Sequence, residues 1–166
     1  ARIAGLSPEM EGLRIAHLSD LHFPLCTCSP RALAVIVRRL RPGLIVLTGD
    51  LIDRRDTFSP AVLEETGRRL AAIAPCFAVP GNHEFRAGVL PAWTAALART
   101  GVQVLGEEWV PFPRRGSPLW LGGLPYGRPI PPPEEGITLV LSHYPENFPA
   151  YAAKGYDLVF AGHAHG

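Results

Sequence analysis

Five short apolar runs in this chain end in side chains that are able to bind metal. "LRIAHLSD" (13–20) ends at Asp20, with His22 two residues on. "GLIVLTGD" (43–50) ends at Asp50, and "CFAVPGNH" (76–83) ends at Asn82 and His83. "ITLVLSH" (137–143) ends at His143, and "YDLVFAGH" (156–163) ends at His163, with His165 two residues later. Five of the six histidines fall in this set. The sixth, His17, lies inside the first run and reads as a packed or hydrogen-bonded histidine rather than a ligand. Singly, each position has a plain reading as a turn residue. Together they are a constellation, because loops at the carboxyl ends of strands in an α/β sheet converge on one site.

The donor set selects the chemistry. Asp20, His22, Asp50, Asn82, His143, His163 and His165 are too many donors for one tetrahedral structural zinc. Two ions about 3.5–4 Å apart require a bridging carboxylate, and Asp50 is expected to supply it through both oxygens. Asp20 and His22, at i and i+2, are expected on one side of an extended segment, where they would chelate one ion. His163 and His165 are expected to behave likewise and to divide between the two ions. Two divalent cations against two aspartates and a bridging hydroxide leave a site charge of about +1, suited to a phosphate oxyanion. That hydroxide would be the nucleophile, so no serine or cysteine is needed.

The elements that must position these residues alternate. Six apolar runs read as strands: the five above and "PLWLGGL" (118–124). Helices are predicted over 29–41, 59–74 and 89–101. The first two open on Ser-Pro, a cap followed by proline at the first helical position. Residues Leu33, Ile36, Val37 and Leu40 are predicted to form the apolar face of the first, and Gly101 to cap the third. This is an α/β pattern with a largely parallel sheet at its start. After Gly101, "VQVLG", "EEWVPF" and "PLWLGG" follow closely and predict a hairpin-rich antiparallel addition. The proline-dense "YGRPIPPPEEG" (126–136) predicts an extended surface loop. With no repeat and no linker, the 166 residues predict one domain over 1–166.

Composition narrows the function. A 47% hydrophobic fraction, 19% charged residues and a net charge of +1 fit an ordinary globular domain and give no basic stripe for nucleic acid. No apolar stretch is long enough to span a bilayer. Cys26, Cys28 and Cys76 make neither a disulfide framework nor a zinc ribbon and are expected to be free thiols in a reducing compartment.

Taken in order, "SDLH", "TGD", "GNHE", "LSH" and "AGHAHG" resemble the five motifs of the calcineurin-like metallophosphoesterases. "GLRIAHLSDLH" and "YDLVFAGHAHG" look closest to the bacterial YaeI/YkuE-like branch of phosphohydrolases. The resemblance implies a four-layer α/β/β/α sandwich and hydrolysis of phosphodiester or phosphomonoester bonds. It implies that Asp20, His22, Asp50 and His165 hold one metal and Asp50, Asn82, His143 and His163 the other. His83 would be the catalytic histidine and Glu84 would orient it. Manganese is the metal most in keeping with that branch, with iron and zinc as alternatives, and the absence of cysteine near the site fits nitrogen- and oxygen-preferring ions. The substrates implied are phosphate-ester small molecules or lipid-linked phosphates, with no nucleic acid. Arg86, Arg114, Arg115 and Arg128 lie in expected loops, available to grip further phosphates, though most are expected to be solvated. Relatives of this branch usually begin with a membrane-anchoring segment and continue past the fifth motif, adding strands to the second sheet. A longer parent chain is therefore expected, in the cytoplasm, with peripheral membrane contact if an anchoring segment precedes Ala1. Two alternatives share the motifs: a nuclease, opposed by the modest charge, and a non-catalytic scaffold, opposed by the intact ligand set and His83.

Overall fold

The computed structural model describes residues 3, 6, 8–112 and 118–165. Arg114, Arg115 and Gly166 lie outside the described residues. The elements run β1 (Ile15–Leu18), α1 (Pro30–Arg39), β2 (Leu44–Thr48), α2 (Pro60–Ala71), β3 (Cys76–Val79), α3 (Asn82–Arg86), α4 (Leu90–Ala98) and β4 (Gln103–Val104). They continue with β5 (Trp109–Pro111), β6 (Leu119–Leu124), β7 (Ile137–Ser142), α5 (Phe148–Ala153) and β8 (Leu158–Phe160). Single 3₁₀ turns cover Pro8–Met10, Arg55–Thr57 and Pro145–Asn147.

Two four-stranded sheets, ordered β1-β2-β3-β4 and β5-β6-β7-β8, form the two middle layers. Every pairing is parallel except β5 with β6. Strand periodicity explains why both faces of the first sheet are apolar. In β2, Ile45 and Leu47 join Leu33, Val37, Leu63, Leu70, Trp93 and Leu97 of the helical layer. Their neighbours Leu44 and Val46 pack with Phe77 and Val79 against Leu119, Leu121, Leu139 and Leu141 of the second sheet. Outside that sheet, Tyr151 of α5 packs on Leu124 and Val140. The layers are therefore helix, sheet, sheet, helix, the α/β/β/α sandwich.

Ser29 and Ser59 cap α1 and α2 as expected, accepting from the backbone N–H groups of Ala32 (3.2 Å) and Val62 (3.4 Å). Four expectations need correction. "VQVLG" supplies β4 of the first sheet, and only "EEWVPF" and "PLWLGG" pair antiparallel. The later strands instead run parallel because their connections, a long loop and α5, are crossovers rather than tight turns. β3 stops at Val79, and Asn82 and His83 open α3. On α1 the buried stripe is Leu33, Ala34 and Val37, whereas Ile36 and Leu40 are 54% and 56% exposed. A single sheet face covers a narrower arc of the helix than the apolar spacing offers. Finally, α4 ends with Arg99 as its C-cap, and Gly101 takes the left-handed conformation two residues beyond.

All three cysteines are free thiols. Cys76, on β3 in the core, has its pKa pushed up to about 12 by burial. Iodoacetamide is expected to label Cys26 and Cys28, both partly exposed, and to spare Cys76 in the native protein. Peptide mass spectrometry reads this directly, and labelling of Cys76 at the rate of the other two would contradict its burial.

Candidate metal centre

Every strand-end residue expected at the site arrives on a loop or helix that leaves a parallel strand at its carboxyl end. Asp20 and His22 follow β1, Asp50 follows β2, Asn82 and His83 open α3 after β3, His143 follows β7, and His163 and His165 follow β8. The loops are not extended. Asp20, His22, Asp50, His163 and His165 have φ of 55°, 46°, 51°, 71° and 57°, five of the six non-glycine residues at positive φ among the described residues. This corrects the expected geometry: the i, i+2 pairs converge because each ligand-bearing residue sits in the left-handed region, not because a strand is flat. Residues held in such conformations cost about 1–3 kcal/mol each and gather at functional sites.

Three triads place donor atoms within 4.8 Å of one another: Asp20, His22 and His165; His22, Asp50 and His83; and Asp50, His143 and His163. Asp50 is almost fully buried, and its two oxygens do different things. Oδ1 accepts the backbone N–H of His83 (2.8 Å). Oδ2 faces inward, 3.2 Å from His143 Nε2 and 3.9 Å from both His22 Nε2 and His83 Nε2. Oδ2 is thus the Asp50 oxygen that faces the histidines of the two triads containing Asp50.

The arrangement around His143 tests whether these residues suit a cation. Its Nδ1–H donates to the Thr48 carbonyl at 2.7 Å, which leaves Nε2 of the neutral ring with only a lone pair. That lone pair meets Asn82 Oδ1 at 3.0 Å, Asp50 Oδ2 at 3.2 Å and His163 Nδ1 at 3.2 Å. A second convergence brings His22 Nε2 within 3.4 Å of His165 Nε2. This convergence of aspartate, asparagine and imidazole donor atoms, in a pocket without thiolates, suits a positive charge between them. Without an ion, a proton on His143 Nε2 can take the place of that charge. Burial works against a charged His143, yet Asp50 and the Thr48 carbonyl outweigh it and raise its pKa. Burial likewise opposes ionisation of Asp50, but His143 and the His83 amide hold its carboxyl below the usual range.

Glycines permit the close approach. A Cβ on Gly162 would overlap Ser19 Oγ and stand 2.9 Å from Asp20 Oδ2, and one on Gly81 would collide with Asp50. His17 stands apart, with Nε2 2.7 Å from Thr48 Oγ1 and its ring edge-on to Phe160.

Residues 13–166 match the profile of the calcineurin-like phosphoesterase family. The chain belongs to that family. It is 29% identical over 177 aligned positions to phosphodiesterase YaeI of Escherichia coli, covering 99% of this chain and 65% of that protein. It is 28% identical to the uncharacterised metallophosphoesterase YkoQ of Bacillus subtilis, covering 96% of this chain and 63% of that one. The chain thus spans somewhat less than two thirds of the length of either relative. Phosphopantetheinyl hydrolase of Mycobacterium tuberculosis shares the fold, with a TM-score of 0.57 at 14% identity over 92% of this chain and 83% of that one. Within this calcineurin-like phosphoesterase, no helix among the described residues is long and apolar enough to cross a membrane.

Glu84 behaves differently from its expected part. Its carboxylate does not reach the His83 ring. It accepts the N–H groups of Asp50 (3.0 Å), Leu51 (2.9 Å), Ile52 (3.2 Å) and Gly81 (2.7 Å), tying the loop after β2 to the turn before α3. His83 is oriented instead by Asp53, whose carbonyl accepts from Nδ1 and whose carboxylate lies 3.9 Å away. The signal for Asp53 was a second aspartate three residues after Asp50. For the Thr48 carbonyl no side chain gave a signal at all. Glu84→Ala would leave four buried N–H groups without an acceptor, at about 1–3 kcal/mol for each unsatisfied group. The expected result is a loss of several kcal/mol in a denaturant titration, with Glu84→Gln milder because one acceptor oxygen survives. A loss below about 1 kcal/mol for Glu84→Ala would show that the clamp is not structural.

Proposed function

We propose that this calcineurin-like phosphoesterase is a binuclear metal-dependent hydrolase of phosphodiester bonds. In this reading Asp20, His22, Asp50 and His165 hold one ion, and Asp50, Asn82, His143 and His163 the other. Manganese is the metal. The observation that carries it is the convergence of potential ligand atoms from Asp50, Asn82 and His163 around His143 Nε2. When bound, the ions supply charge neutralisation for the phosphate and a water acidic enough to act as nucleophile near neutral pH.

The chain's own residues do the rest. Thr48 fixes the His143 tautomer, the His83 amide fixes Asp50, and Asp53 aims His83 Nε2 inward. His83, with 29% of its side chain exposed against 2% for Asp50, stands at the open rim, placed to contact the phosphate and protonate a leaving oxygen. Asp53 is its positioning residue. The phosphodiester preference leans on YaeI, which is named a phosphodiesterase.

The test is reconstitution. Protein stripped with chelator is expected to be inactive on bis-(p-nitrophenyl) phosphate and to regain turnover with added manganese, with two ions bound per chain by elemental analysis. Two ions bound with no hydrolysis would overturn the enzymatic reading.

A further inference from the structure

An open cleft of about 430 Å³ adjoins the centre on its His83 side, walled by Asp53, Arg54, Arg55, Asp56, His83 and Arg86. Its charges are unequal in what they are already doing. Arg54 is committed: Nε lies 3.0 Å from Asp53 Oδ2 and 4.0 Å from Asp56 Oδ1. Asp53 also faces His83. Arg55 and Arg86 are exposed and have no carboxylate partner among the described residues. Elsewhere Arg68, Arg69, Arg99 and Arg128 are each paired with a glutamate. Solvent-facing arginines of α1 are unpaired too, but the cleft lined by Arg55 and Arg86 runs up to His83 itself.

Local structure puts both arginines on the wall of this one cleft. Arg86 follows His83 by three residues on α3, so both side chains leave the helix on one side. Arg55, at the start of the 3₁₀ turn after Asp53, carries Nη1 to within 3.9 Å of where a Cβ on Gly88 would stand, just past the end of α3. A planar guanidinium with paired N–H donors is the side chain best matched to phosphate oxygens.

We propose that Arg55 and Arg86 form a subsite for a second phosphate, so that the preferred substrates are diesters of diphosphate rather than diesters with uncharged arms. The proposal rests on the hydrolytic reading of the histidine cluster above. One water is consumed: its oxygen bonds to the phosphorus held at the cluster and the bridging P–O bond breaks. The bond's electron pair and a proton pass to the phosphate held by Arg55 and Arg86, leaving two monoesters.

The experiment compares ADP-ribose, a diphosphate diester, with thymidine 5′-(p-nitrophenyl phosphate), a diester with one phosphate. In the manganese-loaded protein, Arg55→Ala/Arg86→Ala is expected to lower the ratio of kcat/KM for the first over the second by at least about tenfold, the effect of losing charge-assisted hydrogen bonds. Arg→Lys at both positions should recover part of it. A second measurement needs no metal: calorimetric titration of inorganic pyrophosphate into chelator-treated protein, where the wild type should bind at least about fivefold more tightly than the double variant. Where turnover is measurable the ratio decides, and an unchanged ratio removes the subsite while leaving the hydrolase. Where neither compound is turned over, pyrophosphate binding decides. Selective binding then upholds the subsite while the hydrolytic reading fails, and equal or absent binding removes both.

Discussion

Asp50→Asn is expected to empty the centre of both metals. The inward oxygen of Asp50 is 3.2 Å from His143 Nε2 and 3.9 Å from His22 Nε2, so it belongs to both halves of the cluster. An asparagine keeps one oxygen for the His83 amide but turns an N–H₂ donor toward imidazole nitrogens and removes the only fully buried negative charge among the proposed ligands. Loss of a supporting partner alone costs metal sites about 10–100-fold in affinity, and loss of a shared anionic ligand should exceed that at both positions. Elemental analysis after equilibration in excess manganese measures it. Two ions retained per chain would take Asp50 out of the bridging role, and loss of one alone would assign it to a single ion.

His83→Ala should do the opposite, keeping the metals and losing turnover. The side chain lies at the rim with Nδ1 given to the Asp53 carbonyl, and Asp50 is bound by the His83 backbone N–H, which alanine retains. A positioned general acid is worth about 10²–10⁴-fold, so kcat on a diester with a poor leaving group should fall by that range with two ions still bound. The triad with His22 and Asp50 also puts His83 within a ligand's reach. A variant that loses an ion along with its activity would therefore make His83 a ligand. Asp53→Ala keeps the backbone carbonyl that accepts from His83 Nδ1 and removes only the carboxylate 3.9 Å away, so it should produce a smaller fall in kcat with both ions still bound.

Much of this was legible in the residues. Ser29-Pro30 and Ser59-Pro60 marked helix starts because capping is local chemistry, and the strand ends were marked because buried β2 and β7 are continuous apolar runs stopped by polar residues. What escaped was long-range or conformational. "VQVLG" reads the same whether it turns back as a hairpin or crosses to lie beside β3, since only tertiary packing decides between them. Ile36 and Leu40 share the helical spacing of the buried stripe, yet the sheet covers only one side of α1. At the site, Asp20 and His22 were found through residue type, but their meeting depends on backbone angles that alternation does not report. Glu84 was recognised within "GNHE", while its partners 32 to 34 residues earlier were invisible without the fold.

The left-handed backbone at Asp20, His22, Asp50, His163 and His165 also restricts which metals this scaffold can be redesigned to take. Asp, Asn and His are the side chains that tolerate that conformation best after glycine, and they are the hard and borderline donors suited to manganese, iron and zinc. Backbone tolerance and coordination preference thus select the same three residue types. Cysteine or glutamate at any of these five positions would meet the geometry with a less tolerant backbone, so converting the centre to thiolate ligation would require new loops rather than new side chains. The loops at the strand ends constrain the inorganic chemistry before any ion arrives.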